Sequence, residues 1–345
     1  MVRGALINTR NRFARQTLST EHTDAIDEWI SPLAKTQYIE QEAKSLVNKI
    51  DSPDVGMSYS MNPYSGCEHG CVYCYARNSH EYLGYSAGLD FESKIIVKTN
   101  APQLLRKFLS QPKWEGQPIT LSGNTDCYQP AERHYQLTRK LLEVCDAFNQ
   151  PVSLITKNGG ILRDKDILQK LAKRKLTSVM VSITSMDESL RQKMEPRTTT
   201  AEWRFRIIRE LSEAGVPVGV MVGPVIPGLT DHQLQKILWN AAASGASFAS
   251  YTFVRLNGAV KDIFQHWLQT QFPEKAEKVW HLIEEAHGGQ VNDSRFGGRM
   301  TGEGPVADII NQQFKKYCQA YRLQTKGFKL NSKKFCVPGK QLSFF

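Results

Sequence analysis

Three cysteines in the run Asn62-Pro63-Tyr64-Ser65-Gly66-Cys67-Glu68-His69-Gly70-Cys71-Val72-Tyr73-Cys74 supply three thiolates within a short loop and no fourth nearby. A closed structural zinc or iron–sulfur site takes four protein ligands, so a three-thiolate loop leaves one metal corner open to an exogenous group. Gly66 and Gly70 relieve the backbone where the loop must curl to let the sulfurs converge. Tyr73, between the last two thiolates, would turn back against whatever fills the open corner. Two blander readings stand beside this one. A zinc site could recruit His69 or the distant Cys127, and reduced thiols could hold no metal at all. Zinc ligand sets arrive as two separated pairs, which this loop does not offer.

Such a loop needs a scaffold, and the pattern from Met61 onward supplies one. Strand-like runs at Lys94–Lys98, 118–122, Val152–Thr156, 178–184, 216–222 and 247–255 alternate with segments of helical apolar spacing at 132–148, 163–175, 201–214 and 231–244. Thr199-x-x-Glu202 and Thr230-x-x-Gln233 read as capping boxes, and Gly215 and Gly245 as helix-ending glycines. Repeated strand–helix units predict an α/β fold with a parallel sheet that could curve toward a barrel.

The 345 residues divide into an extension over 1–55, expected to wrap the outside, a core over 56–290, and a C-terminal helix and basic tail over 291–345. Seven scattered cysteines do not form a disulfide framework, which favours a reducing compartment. No apolar run approaches the roughly 18 residues of a membrane span, so no membrane partner is expected and the cytoplasm is the expected location.

Charge is concentrated at one end. Residues 309–345 hold seven lysines, one arginine and no acid, so of the net charge of +10 the rest of the chain carries only +2. Phe314, Tyr317, Tyr321, Phe328, Phe335, Phe344 and Phe345 are interleaved with those cations. That mixture suits a nucleic-acid groove, with cations for phosphates and rings for base stacking. Val306, Ile310, Phe314, Tyr317 and Tyr321 also recur at helical spacing, which fits an amphipathic helix packed on the core with a solvated basic face.

The Cys-x3-Cys-x2-Cys loop with an aromatic residue before its last cysteine resembles the signature of the radical S-adenosylmethionine (radical SAM) superfamily. The resemblance implies a [4Fe–4S] cluster on Cys67, Cys71 and Cys74, with S-adenosylmethionine (SAM) chelating the fourth iron. One electron passed to the sulfonium would release methionine and a 5′-deoxyadenosyl radical that abstracts hydrogen from a substrate. It also implies a partial, six-unit (β/α)6 barrel of the TIM type, and a reducing electron donor such as flavodoxin or ferredoxin.

Residues at strand ends then become cofactor candidates, because barrel chemistry gathers there. Ser122, Gly123, Asn124, Thr125 and Asp126 follow the second core strand, where the superfamily presents a segment to the amino group of SAM. Ser182 and Thr184 could satisfy a ribose, and Arg197 a carboxylate through its two-donor fork. Lys157 could meet that carboxylate or a substrate phosphate. Glu195 could act beside the cofactor or form an ion pair with Arg197, and Tyr73 lies against the open corner.

Further motifs narrow the resemblance to the spore photoproduct lyase-like, DNA repair photolyase-related branch and its large bacterial subgroup. They are Asn62-Pro63-Tyr64, Thr125-Asp126-x-Tyr128-Gln129-Pro130, Thr156-Lys157, Arg163-Asp164, Met194-Glu195-Pro196-Arg197 and Pro224-x-Ile226-Pro227-Gly228, and they span about 58–260. Arg3-Gly4-Ala5 and Asn11-Arg12-Phe13 are similar to the subgroup as well. The branch implies hydrogen return by a cysteine helped by tyrosines, which makes Cys127, Tyr75 and Tyr128 catalytic candidates. Cys127 follows Thr125-Asp126, whereas the lyase cysteine precedes that segment, so spore photoproduct itself is not the expected substrate. The implied activity is radical chemistry on a nucleic acid or nucleotide. A peptide or small metabolite as substrate, and a non-enzymatic cluster-bearing carrier or sensor, are the alternatives.

Overall fold

The structure is a computed structural model that describes residues 3–13, 35–292 and 295–339. Its strands are β1 (Gln37–Gln41), β2 (Val47–Lys49), β3 (Tyr59–Met61), β4 (Tyr64–Ser65), β5 (Lys94–Lys98), β6 (Ile119–Leu121), β7 (Val152–Thr156), β8 (Thr177–Ser182), β9 (Val218–Val225) and β10 (Phe248–Phe253). Seven build one sheet in the order β10-β9-β8-β7-β6-β3-β2. The six from β3 to β10 run parallel, and β2 adds an antiparallel edge. This is a partial barrel with β10 and β2 as its edges.

Lys94–Lys98 is a strand as expected but lies outside this sheet. It centres a smaller one, order β1-β5-β4, where Ile95 and Val97 bury against Tyr64, Ala131 and Leu137. The reason is local: β4 belongs to the cysteine loop itself, so the chain emerging from that loop finds β4 before it can reach β3.

Valines and leucines on one face of the strands, among them Val152, Leu154, Val179, Val181, Val218, Val220 and Val222, are buried in the main core with residues of the surrounding helices. The expected long helix over 132–148 is broken at Gln136, whose φ of 51° is left-handed, giving Glu132–Tyr135 and Leu137–Ala147. The break lets the Glu132 carboxylate accept from the Thr138 amide at 3.0 Å and from the Tyr64 hydroxyl. Helix Ala201–Glu213 is capped by Thr200, whose hydroxyl accepts from the Trp203 amide, not by Thr199, which accepts from the Gly159 amide at 2.9 Å. The second expected capping box is also replaced: Thr230 Oγ1 accepts from the Ile226 amide, and Gln233 Oε1 takes the Met186 amide. Gly215 and Gly245 do end their helices in the left-handed region.

The opposite, concave face of the sheet carries small or flexible uncharged side chains. Ser153, Met180, Met221, Ser250 and Thr252 alternate with the core residues and are only partly buried. At the N-terminal end of this face Phe248 lies across Gly219, where a Cβ would stand 2.3 Å from the ring.

Helix Pro305–Ala320 packs on the core through Ala307, Ile310, Phe314 and Cys318. The chain beyond it is a strap across the N-terminal ends of the strands. Gln324 bonds Ser247 and Ala249 before and within β10, Asn331 bonds the Lys175 carbonyl ahead of β8, and Cys336 bonds the Phe148 carbonyl ahead of β7. Phe335 stacks on Phe148. Lys326, Lys329, Lys333 and Lys334 are exposed along the strap, while Lys340, Phe344 and Phe345 lie outside the described residues. Residues 3–5 of the extension are buried, while the largely exposed β1 and β2 are edge strands of the smaller and the larger sheet. No helix among the described residues is long and apolar enough to cross a membrane.

Candidate active site

The cysteine loop leaves the C-terminal end of β3, so it sits at the end of the sheet opposite the strap. The loop is fixed by backbone bonds from the Cys67 amide to the Phe91 carbonyl (2.8 Å) and from the Val72 amide to the Met194 carbonyl (3.1 Å). Buried Gln129 spans it, donating to the Gly66 carbonyl and accepting from the Glu68 amide, both at 3.0 Å. The Gln129 and Asn62 motifs thus act in the frame of the loop: Asn62 Oδ1 accepts from the Asn124 and Thr125 amides, and the Thr125 hydroxyl donates to the Tyr64 carbonyl.

Cys67 and Cys71 are buried and Cys74 is half-buried. Burial pushes all three thiols up, Cys71 to about 12, so iron would displace protons from them on binding. Among the described residues no three His, Cys, Asp or Glu side chains stand at metal-binding distance. The thiols nevertheless share one loop and lie within electrostatic reach of each other. Among the described residues a fourth protein ligand is not at hand. His69 is enclosed, with Nδ1 facing Asp126 (3.5 Å) and Nε2 on Asn158 (3.0 Å), and burial lowers its pKa. Cys127 has no exposed surface, its thiol is pushed up by burial, and it packs in the main core with residues of Leu137–Ala147. The zinc reading, which draws on one of these two, therefore lacks its donor, whereas a group needing three thiolates and an exogenous ligand fits.

Asp126 knots the frame together. Its carboxylate accepts from the Thr156 hydroxyl (2.8 Å), the Lys157 amide (2.8 Å) and the Tyr128 amide (2.9 Å) while facing His69. Ser122 holds a φ of 71°, a left-handed backbone that costs a non-glycine residue of order 1–2 kcal/mol. Its hydroxyl accepts from the Cys127 amide at 2.8 Å, which helps to hold that turn. Next to it Gly123 admits no side chain, since a Cβ would stand 2.7 Å from Ser60 Cβ. The exposed Tyr75 donates its hydroxyl to the Gly123 carbonyl at 2.6 Å, and Asn124 bonds Ser79. Tyr128 is turned away into a buried network, donating to Asp164, which pairs with Arg163 and through it with Glu132. Of the three catalytic candidates, Tyr75 alone is exposed at the site.

Across the site, the Tyr73 hydroxyl donates to Glu195, with Thr184 Oγ1 2.7 Å from the same carboxylate and 2.8 Å from the Gly223 carbonyl. Glu195 is fully buried. Burial would raise its pKa, but Arg204, Lys157 and the Tyr73 hydroxyl outweigh it and hold the carboxyl at about 2. Arg204 was not singled out by the sequence; as one of three arginines on the Ala201–Glu213 helix, it carried no distinguishing signal. Ser182 contributes its carbonyl, which accepts from Arg204 at 2.9 Å.

Two cations retain capacity for an anion. Arg197 is bound to Glu68 through Nη2 (2.9 Å), so it does not pair with Glu195, and its buried Nη1 has no partner among the described residues. Lys157 stands with Nζ 5.9 Å from the Tyr73 ring centroid and makes no hydrogen bond or ion pair through its ammonium among the described residues. An orphaned guanidinium nitrogen and a free ammonium beside the thiol loop fit the carboxylate of SAM.

The family model described as the radical SAM superfamily matches residues 61–238. An uncharacterised Mycobacterium tuberculosis protein is 36% identical over 242 residues, covering 69% of this chain and 71% of its own length. An uncharacterised Methanocaldococcus jannaschii protein is 28% identical over 246 residues, covering 71% and 88%. Among solved structures, spore photoproduct lyase complexed with dinucleoside spore photoproduct superposes with a TM-score of 0.59 at 16% identity, covering 85% of this chain and 82% of its own. At that identity the likeness is one of fold.

Proposed function

Since the chain belongs to the radical SAM superfamily, we propose that it is a radical SAM enzyme whose substrate is a base within a nucleic acid or nucleotide. Enzymes of this family use a [4Fe–4S] cluster and SAM and need a reductant. When bound, these groups supply a 5′-deoxyadenosyl radical by one-electron cleavage of the sulfonium; the protein binds, orients and shields them. In our reading Cys67, Cys71 and Cys74 hold the cluster. Lys157 and Arg197 take the SAM carboxylate, Tyr73 backs the cofactor, and Tyr75 faces the substrate. A small acidic electron carrier of the flavodoxin or ferredoxin type is the proposed donor, and the reducing cytoplasm the proposed setting for seven free cysteines.

The observation that carries the substrate reading is the lining of the concave face of the sheet. Ser153, Met180, Met221, Ser250 and Thr252 offer hydroxyls and polarisable thioethers and no charge. An uncharged planar heterocycle with several donors and acceptors suits that lining. The dinucleoside bound by the lyase of the same fold is a chemically similar ligand. One feature favours the metabolite or peptide reading: the exposed lysines of the strap lie at the far end of the sheet, so any polyanion they touch is held away from the reacting centre.

The test is release of 5′-deoxyadenosine by reduced enzyme and SAM, with and without short oligonucleotides carrying damaged or modified bases. Oligonucleotides should raise the release above its substrate-free rate, and Ser250→Leu should cancel that rise while sparing the substrate-free rate. Stimulation by peptides or small metabolites, with none by any oligonucleotide, overturns the reading.

A further inference from the structure

We propose that residues 3–5 form the floor of the cluster loop and that Gly4 is a positioning residue for Cys71. The inference concerns the metal-binding loop and does not depend on the substrate.

The contact is backbone against backbone. A Cβ at Gly4 would stand 1.6 Å from the Gly70 carbonyl oxygen and 2.8 Å from its carbon, with Val72 Cγ1 at 3.3 Å. Gly70 itself has a φ of 70°, and a Cβ there would meet Glu92 Oε2 at 2.9 Å and the Gly4 nitrogen at 3.2 Å. Two glycines thus face each other with a carboxylate beneath. Gly70 lies between two cysteines of the loop and is bonded directly to Cys71.

Glu92 ties this contact to the ligands. Its carboxylate accepts from the Gly4 amide at 2.9 Å and the Ala5 amide at 2.7 Å, and it pairs with Arg77. Arg77, fully buried, donates Nε to the Cys71 carbonyl at 2.9 Å and Nη1 to the carbonyls of Ala87 and Gly88. The same carboxylate therefore holds the N-terminal segment and, through one guanidinium, the backbone of a cysteine of the loop. Arg3 adds a second tie: Nη1 donates to the Glu92 carbonyl and Nη2 to Thr36, whose hydroxyl donates to Glu68, the partner of Arg197.

Close-packed interiors relieve such an overlap by moving backbone. Here the backbone that must move is either residues 3–5, which would give up the Glu92 bonds, or Gly70, which carries Cys71 with it. A displacement of roughly 1 Å at a reacting centre can cost on the order of a hundredfold in rate, so the register of this arc matters to whatever the thiols hold.

The experiment compares hydrogen exchange in full-length wild-type protein before and after anaerobic loading with iron and sulfide. If residues 3–5 position the loop, loading should slow exchange at the Gly4 and Ala5 amides together with those of Cys71 and Val72, because coupling between two sites is reciprocal. Gly4→Ala should accelerate exchange at Cys71 and Val72 at least tenfold in the metal-free protein and leave the β8 amides unchanged. In loaded protein it should alter the electron paramagnetic resonance spectrum of the reduced cluster and the change produced by SAM. Gly4 and Ala5 amides indifferent to loading overturn the proposal, and this arm needs no variant to fold. A Gly4→Ala protein with wild-type exchange and spectrum overturns it as well.

Discussion

Glu195 Oε2 accepts from Arg204 Nη2 at 2.7 Å, and neither side chain is exposed to solvent. The pair stands behind Tyr73, so the aromatic residue of the cluster loop rests on a buried ion pair contributed by the segment after β8 and by the following helix. Removing one charge strands the other in a low-dielectric setting. Glu195→Gln should therefore destabilise the protein by about 3–5 kcal/mol in urea unfolding. Tyr73→Phe, which removes one hydrogen bond and leaves the ion pair intact, should cost about 1 kcal/mol. Equal losses for the two variants would mean that the ion pair contributes little.

Each of Cys67, Cys71 and Cys74 should be indispensable for metal, while Cys127, Cys145 and Cys318 should not. Protein reconstituted without oxygen should bind about four irons and four sulfides per chain, following the family cofactor. Alanine at any of the first three positions should abolish that content. Alanine at Cys145 or Cys318 should preserve it, because both are buried outside the loop. Stoichiometric zinc in place of a reconstitutable cluster would contradict the ligand assignment, all the more since His69 and Cys127 are already engaged.

Acid should weaken the fold through His80. This side chain has no exposed surface, and among the described residues neither ring nitrogen has a hydrogen-bond partner. Burial, with Asp90 opposing, lowers its pKa to about 4. The unfolded chain, with an ordinary imidazole near 6.5, binds the extra proton between those values, so stability falls as pH drops from about 6.5 to about 4. The loss attributable to this residue is about 3 kcal/mol at most. His80→Leu should remove that part of the slope when unfolding free energy is measured at pH 7, 6, 5 and 4; an unchanged slope would assign the acid sensitivity to other groups.

The barrel was legible because its strands are β-branched runs separated by helical periodicity, and β7 and the 201–213 helix fall at or within a residue of their expected bounds. Pairing was not legible. Nothing in Lys94–Lys98 distinguishes a strand of the main sheet from one paired with β4, because that choice depends on where the cysteine loop leads the chain. Spacing singled out the thiol loop and chemistry singled out Lys157 and Arg197, and the structure places Lys157 over the Tyr73 ring and Arg197 on Glu68. Local hydrogen-bond competition hid the rest. Thr199 and Thr200 are equally good caps by type, and the Gly159 amide decides between them. The contact of Gly4 with Gly70 spans most of the extension, so no periodicity could announce it.

The basic tail offers the last prediction, because its composition and its placement point in different directions. Lysines and rings mixed without acids suggest a groove for polyanions, yet the strap bonds Ser247, Lys175 and Phe148, all on the N-terminal side of the sheet, and Phe335 stacks on Phe148. The cysteine loop lies at the other end of strands about five residues long, roughly 17 Å away at 3.3 Å per residue. Changing Lys329, Lys333 and Lys334 together to Gln should therefore leave SAM cleavage and turnover of any dinucleotide-sized substrate unchanged. For long nucleic acid the same variant should flatten the dependence of log affinity on log salt by roughly 0.7–0.9 for each phosphate that it no longer neutralises. Phe335→Ala should act instead on stability, lowering it by about 1–3 kcal/mol, since a half-buried ring against Phe148 and Gly116 is removed. Loss of dinucleotide turnover in the lysine variant, with stability intact, would show that the strap reaches the reaction after all.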